Sequence, residues 1–224
     1  MRVLLFGATG MVGQGVLRAC LADSDVEVVQ TVGRSATGVR HGKLREVTPA
    51  DLFDLSDVAG ELDGFHACFF CLGTSSVGAS EAEYRRINHD LPLTPADELV
   101  ARNPAMTFVY VSGQGTGNRK QMWSRVKGET ERELLGLGFG GAYMFRPGVM
   151  IPAPGTRGKT RLYRVGYAVA TPLLAVARRI WPQHVLTTEE VGIAMLQAAR
   201  AGADTAILEP PDPRALVDRG TASR

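Results

Sequence analysis

Met1-Arg-Val-Leu-Leu-Phe-Gly-Ala-Thr-Gly-Met-Val-Gly13, the opening stretch of the chain, decides how the rest is read. Val3 to Phe6 is an unbroken apolar run of strand length, as expected of a strand covered on both faces. It ends in Gly7-Ala8-Thr9-Gly10-Met11-Val12-Gly13, after which Val12, Val16, Leu17 and Cys20 recur at helical spacing. A buried strand, a turn spaced Gly-x-x-Gly-x-x-Gly and a helix are the parts of a pyrophosphate site. Gly7 permits a tight turn, Gly10 lets a phosphate reach bare backbone, and Gly13 lets the helix lie close on the sheet. The helix offers the anion its first N–H groups and the positive end of its dipole. Gly7, Thr9, Gly10, Met11, Val12 and Gly13 are therefore expected around a dinucleotide diphosphate.

Working outward, Val26 to Val32 reads as a second strand ending at Gly33-Arg34-Ser35. In this architecture an acid at that point grips the free ribose 2′-hydroxyl of NAD. Here there is none. Gly33 is small, Arg34 and Ser35 can hold a 2′-phosphate, and Arg40 adds a second cation, so NADP is expected over NAD. Leu44–Val47 is a short third strand, and His66–Leu72 a fourth. The fourth runs into Cys71-Leu72-Gly73-Thr74, beyond the strand end where the ligand of an open α/β sheet lies. Ser80 with Glu83 is a capping box opening a helix to Arg102, which Pro92 and Pro95 are expected to bend or interrupt. Met106–Val111 is the fifth strand, Gln121–Leu137 a helix and Tyr143–Phe145 the sixth strand. Arg146-Pro147-Gly148 then leads to an extended 149–151. Strands alternating with helices predict right-handed crossovers and a parallel sheet. Residues 210–224, rich in Pro and charge, are expected to leave the core.

The 224 residues suffice for one well-filled core, and a formal net charge of +2 gives no pull towards nucleic acid. Four histidines and three cysteines leave little for a metal site, and none is expected. Cys68-Phe69-Phe70-Cys71 has the spacing of a redox pair but lies inside a strand, where residues three apart point to opposite faces. It reads as buried, inert cysteine. From Glu46 to Glu83 every formal charge is negative, eight acids that read as a solvated rim. From Leu134 to Thr188 there is no carboxylate, while Arg146, Arg157, Lys159, Arg161, Arg164, Arg178 and Arg179 are basic. They bracket an apolar run, Val165–Ala177, shorter than the ~20 residues of a membrane span. That region, 157–181, reads as a lid over an anionic substrate, a dimer interface, a membrane-surface helix or a core helix with solvated ends. The first strand leaves no room for a signal peptide, and a cytoplasmic location is expected.

Thr9, Gly10 and Gly13, Gly33-Arg34, Cys71–Thr74, Tyr110–Gly113, Lys127 in WSRVKGETE and Arg146–Gly148 follow one another in a familiar order. Together they resemble an atypical short-chain dehydrogenase/reductase, similar to the Tat-interacting-protein branch and its bacterial epimerase/dehydratase-like relatives. The resemblance covers about residues 1–151 and is loose over 185–208. It implies an α/β fold, a three-layer, Rossmann-like, doubly wound parallel sheet with a small C-terminal helical elaboration. The chain would be one domain, with a dinucleotide-binding core over 1–151 and a substrate, lid or interface region over 152–224. It also implies that Ser112 orients a substrate carbonyl and that Lys127 holds the nicotinamide ribose, while Arg146, Pro147 and Gly148 border the cofactor.

The family's proton donor is a Tyr four residues before the Lys, and here that position is Trp123. An indole N–H donates but has no accessible ionisation, so it cannot shuttle a proton as a phenol does. Tyr84, His89, Tyr143 and Tyr163 are other proton carriers, each read as structural, and Asn88 is given no catalytic role. Two readings follow. One is an NADP-dependent oxidoreductase or epimerase on an unknown carbonyl or hydroxyl substrate, whose acid has moved or is a water held by Ser112. The other is a dinucleotide-binding protein without turnover that serves a partner. The oligomeric state stays open.

Overall fold

A computed structural model describes residues 1–118, 120–153, 155–156 and 178–222. Their central sheet is parallel throughout. Its strands are β1 (Arg2–Phe6), β2 (Val28–Val32), β3 (Leu44–Val47), β4 (Ala67–Phe70), β5 (Thr107–Val111), β6 (Gly141–Phe145) and β9 (Ile207–Leu208), in the order β3-β2-β1-β4-β5-β6-β9. The order reverses at β1, so β1 and β4 flank the crevice in which doubly wound sheets take their ligands. Leu5 stands opposite Thr31 on one side and Phe69 on the other. A second, two-stranded sheet pairs β7 (Val149–Ile151) with β8 (Val185–Thr187).

Alternation along the buried strands divides the core in two. On one face Leu4, Phe6, Cys68, Phe70 and Phe108 pack under helix α3 (Leu91–Arg102). Phe6 stacks on Phe70 with centroids 5.3 Å apart, and Phe108 on Phe139 at 4.9 Å. On the other face Val3, Leu5, Phe69 and Val109 meet α1 (Met11–Ala22) and α5 (Thr188–Ala201). Cys68 lies in the first layer and Cys71 against the second, the opposed placement expected of that strand. Burial pushes both thiols well above their ordinary range.

Helices α1 and α5 meet through small residues. A Cβ on Gly15 would lie 2.3 Å from Thr188 Oγ1, and one on Gly192 would lie 2.7 Å from Ala19 Cβ. Thr187 and Glu190 close a capping box at the start of α5. Residues 212–222 do not leave the core as expected. They form α6 (Asp212–Ala222), whose Leu216 and Val217 are buried in the same layer as α5, because their apolar side chains complete its outer face.

The capping box of Ser80 and Glu83 opens α2 (Glu81–Arg85) as expected. The interruption that follows falls at Arg86–Asp90, a turn of π-helix, before either proline. Helix α3 begins with Pro92 in its first turn and carries Pro95 inside. A residue at position 92 would normally donate to the carbonyl of Asn88, and proline has no N–H to give. The Asn88 carbonyl instead accepts from the hydroxyls of Tyr110 at 3.1 Å and Thr130 at 2.9 Å. Thr130 lies on α4 (Met122–Gly136), so one carbonyl ties the π turn, β5 and α4 together.

Candidate functional site

The glycine turn divides its labour. Gly7 takes φ +82°, and a Cβ there would sit 2.8 Å from the Cys71 carbonyl carbon, so the end of β4 demands glycine. A Cβ on Gly13 would come within 2.1 Å of Gly7 O, which fixes the approach of α1 to the turn. Gly10 is different. It is the N-cap of α1 in an extended conformation, and a Cβ there would meet only Gly7 O, at 3.2 Å. No side chain caps that end and no acid lies in its first turn, so among the described residues the amides of Met11, Val12 and Gly13 have no side chain to serve.

Beside this turn a cleft of about 300 Å³ runs to the end of β2, past Gly7, Ala8 and Thr9, between Leu52 and Leu72, to Gly33, Arg34 and Ser35. No carboxylate lines it. Arg34 is exposed and has no ion-pair partner among the described residues. Past β4, Cys71 N donates to Phe6 O at 3.0 Å, and Gly73-Thr74 is held from below. Asn88, fully buried, accepts from Thr74 N through Oδ1 at 3.2 Å and donates through Nδ2 to Tyr84 O at 3.1 Å. The sequence reading placed Asn88 where the resembled family often has a structural Asn, without naming these partners. The missing N–H of Pro92, four residues on, was the signal that its carbonyl was spoken for elsewhere.

At the end of β5 the structure brings Ser112, Trp123 and Lys127 together. Lys127 Nζ donates to Val111 O at 3.3 Å and lies 5.3 Å from the centre of the Tyr110 ring. The Trp123 ring, one helical turn earlier, covers Gly113 and Gly115, within 3.8 and 3.7 Å of where their Cβ atoms would be. Ser112 is buried, with its hydroxyl 3.1 Å from that of Thr116. Thr116 donates its own proton to Gly113 O at 2.7 Å, so the Ser112 proton makes the bond between them. Burial pushes the Lys127 ammonium down to about 8, against the opposing pull of Glu131.

Arg146 stands apart from the cleft. Its guanidinium donates to both oxygens of the buried Glu131, at 3.0 and 2.5 Å, and to Glu209 at 2.6 Å. Two carboxylates capture it, and they hold its pKa above the ordinary arginine value. Gly148 is set by the second sheet, since a Cβ there would lie 2.6 Å from His184 O. Of the other proton carriers, the structure describes Tyr84, Tyr143 and His89. Tyr84 is buried, its phenol pushed up to about 12. The Tyr143 hydroxyl Oη accepts from Ala203 N, and His89 lies between Asp90 and Glu133. Tyr163, the run Val165–Ala177 and most of the basic 157–181 region lie outside the described residues.

No family model matches the chain. It is 33% identical over 187 residues to Protein fmp52-1, mitochondrial, of Aspergillus terreus, covering 80% of this chain and 73% of that one. It is 28% identical over 152 residues to rat Protein HTATIP2, covering 66% and 62%. Among solved structures, an oxidoreductase of the short chain dehydrogenase/reductase family from Burkholderia thailandensis superposes with a TM-score of 0.67 at 18% identity, over 99% and 97% of the two chains. MoeE5 in complex with UDP-glucose and NAD gives 0.66 at 17%, over 100% and 82%. The expected cytoplasmic location does not stand, because fmp52-1 and its counterparts from other fungi are named as mitochondrial proteins. With the sheet order, the glycine turn and this similarity together, the chain belongs to the FMP52 family, and it has the fold of the short-chain dehydrogenases/reductases.

Proposed function

We propose that the chain binds NADP(H) along the carboxyl edge of its sheet and acts as a reductase or epimerase on a carbonyl or hydroxyl substrate. The observation that carries this reading is the cleft between the glycine turn and Arg34, which among the described residues holds a guanidinium with no ion-pair partner and is lined by no carboxylate. A diphosphate on the amides of residues 10–13 puts the adenosine ribose at Gly33, with Arg34 and Ser35 for a 2′-phosphate. Leu72, Gly73 and Thr74 lie under the middle of the dinucleotide, and Lys127 anchors the nicotinamide ribose. The bound cofactor supplies or accepts hydride at the end of β5. Arg146, held by Glu131 and Glu209, shapes the wall behind Lys127 in this proposal, with Pro147 and Gly148 leading the chain away. The NAD in the related MoeE5 structure supports the cofactor class and leaves the phosphate preference to Arg34.

Trp123 favours a second reading, a dinucleotide-binding protein that serves a partner without turnover. One experiment separates the two and tests what they share. NADPH and NADH are titrated against the fluorescence of Trp123 and Trp181, followed by a screen of carbonyl substrates. NADPH is expected to bind at least about tenfold more tightly, and Arg34→Glu to remove that margin, since a charge-assisted bond of about 1.5–3 kcal/mol is lost. Equal affinities would refute the role of Arg34. Tight binding with no turnover on any carbonyl would favour the second reading.

A further inference from the structure

With Trp123 in place of the phenol, a reductase of this geometry needs another source for the proton that reaches the substrate oxygen. The groups around the end of β5 can be taken in turn. Ser112 has its proton committed to Thr116, whose own goes to Gly113 O. Tyr110 is fully buried and donates to Asn88 O. Trp123 does not ionise. Lys127 remains. Its single hydrogen bond, to Val111 O, is long at 3.3 Å, which leaves two N–H groups of the ammonium uncommitted. Glu131, one turn further along α4, does not neutralise it, because both Glu131 oxygens are taken by Arg146, itself shared with Glu209. The phenol of Tyr110 is turned away into its own bond. Lys127 is thus a half-buried cation with no ion-pair partner among the described residues.

From this arrangement we infer that Lys127 is itself the general acid of the reaction, giving its proton directly to the substrate oxygen. The inference rests on the NADP(H)-dependent reading above. In the step, the carbonyl carbon takes hydride from NADPH, which is oxidised to NADP⁺. The carbonyl π pair becomes an O–H bond as an N–H bond of Lys127 breaks, and the product is an alcohol. The neutral amine then recovers a proton from water. A donor works best when its pKa is close to the working pH, and burial has brought this ammonium down to about 8 against the pull of Glu131. The reverse step, in an epimerase, uses the amine as base.

The test uses protein carrying [13Cε]lysine, wild type and Lys127→Arg. The chain has four lysines, so the missing signal in the variant assigns residue 127. In wild type that signal is expected to titrate near 8, free and with NADP⁺ bound. Arginine keeps the cation for the ribose but cannot release a proton at neutral pH. Lys127→Arg is therefore expected to bind NADPH within about threefold of wild type and to reduce 4-nitrobenzaldehyde and 9,10-phenanthrenequinone at least about 100-fold more slowly. Wild-type reduction should decline as pH rises through the lysine midpoint. A midpoint above about 10, the ordinary lysine value, would overturn the assignment. So would Lys127→Arg turnover within about threefold of wild type, or NADPH binding with neither probe reduced. Failure of wild type to bind NADPH would bring down the cofactor reading and this inference with it.

Discussion

Gly10→Ala separates the fold from the site. A methyl at position 10 would lie 3.2 Å from Gly7 O and touch nothing else, and φ −77° with ψ 168° is open to alanine. The loss to folding is that of alanine at an N-cap, about 1 kcal/mol, which lowers Tm by about 2–4 °C in a chain of this size. The loss to binding should be larger. The methyl stands where a phosphate oxygen must meet the α1 amides, and one charge-assisted bond there is worth about 2 kcal/mol, roughly thirtyfold in affinity. Gly13→Ala is the control of opposite sign. Its methyl would lie 2.1 Å from Gly7 O and 2.9 Å from Ala8 Cα, backbone against backbone. Helix α1 would have to move, at about 3 kcal/mol or more, or about 6–12 °C in Tm. Thermal unfolding and tryptophan-fluorescence titration with NADPH read the two effects separately. Gly10→Ala protein that binds NADPH within about twofold of wild type would refute the placing of a diphosphate on this turn.

Lys127→Met should alter the pH dependence of stability. The folded pKa is lowered from 10.5 to about 8 by burial, so the unfolded chain binds more protons between those values and stability rises with pH across that window. Chemical denaturation should show the variant more stable than wild type below about pH 8, with the gap closing towards pH 10.5. A constant gap would mean that the ammonium is not buried. Leu216→Ala should cost about 2–4 kcal/mol in a urea melt, because the side chain is buried in the layer that α5 and α6 share. A loss under about 0.5 kcal/mol would mean that α6 does not hold to the core.

Strands β1, β4 and β5 were legible because buried parallel strands are written as near-continuous apolar runs, and the ends of all six strands from β1 to β6 fall within two residues of those expected. The glycine turn was legible for a related reason. Gly7 and Gly13 answer to backbone packed against them, a local demand that only glycine meets. Of the site, Ser112, Trp123 and Lys127 were singled out through the resemblance to the short-chain dehydrogenases/reductases, whose motif positions they occupy. The proton inventory around them was not, because it hangs on Thr116 and on the clamp of Glu131 by Arg146, 15 residues apart in sequence. A guanidinium in an Arg-Pro-Gly stretch carries no local sign of which carboxylate will take it. The helix over 212–222 was missed for want of an apolar run. Leu216 and Val217 show their importance only once α5 is in place.

The π turn at Arg86–Asp90 also sets a phase. An ordinary helix advances each residue by a fixed rotation, and one wide turn leaves everything after it offset from everything before. Thr74 hangs on the side chain of Asn88, while Tyr110 and Thr130 hang on its carbonyl. Deleting one residue there would restore a regular spiral yet swing Asn88 off its three correspondents. Loss at this spot would therefore loosen both ends of the groove together, although the residues removed touch neither.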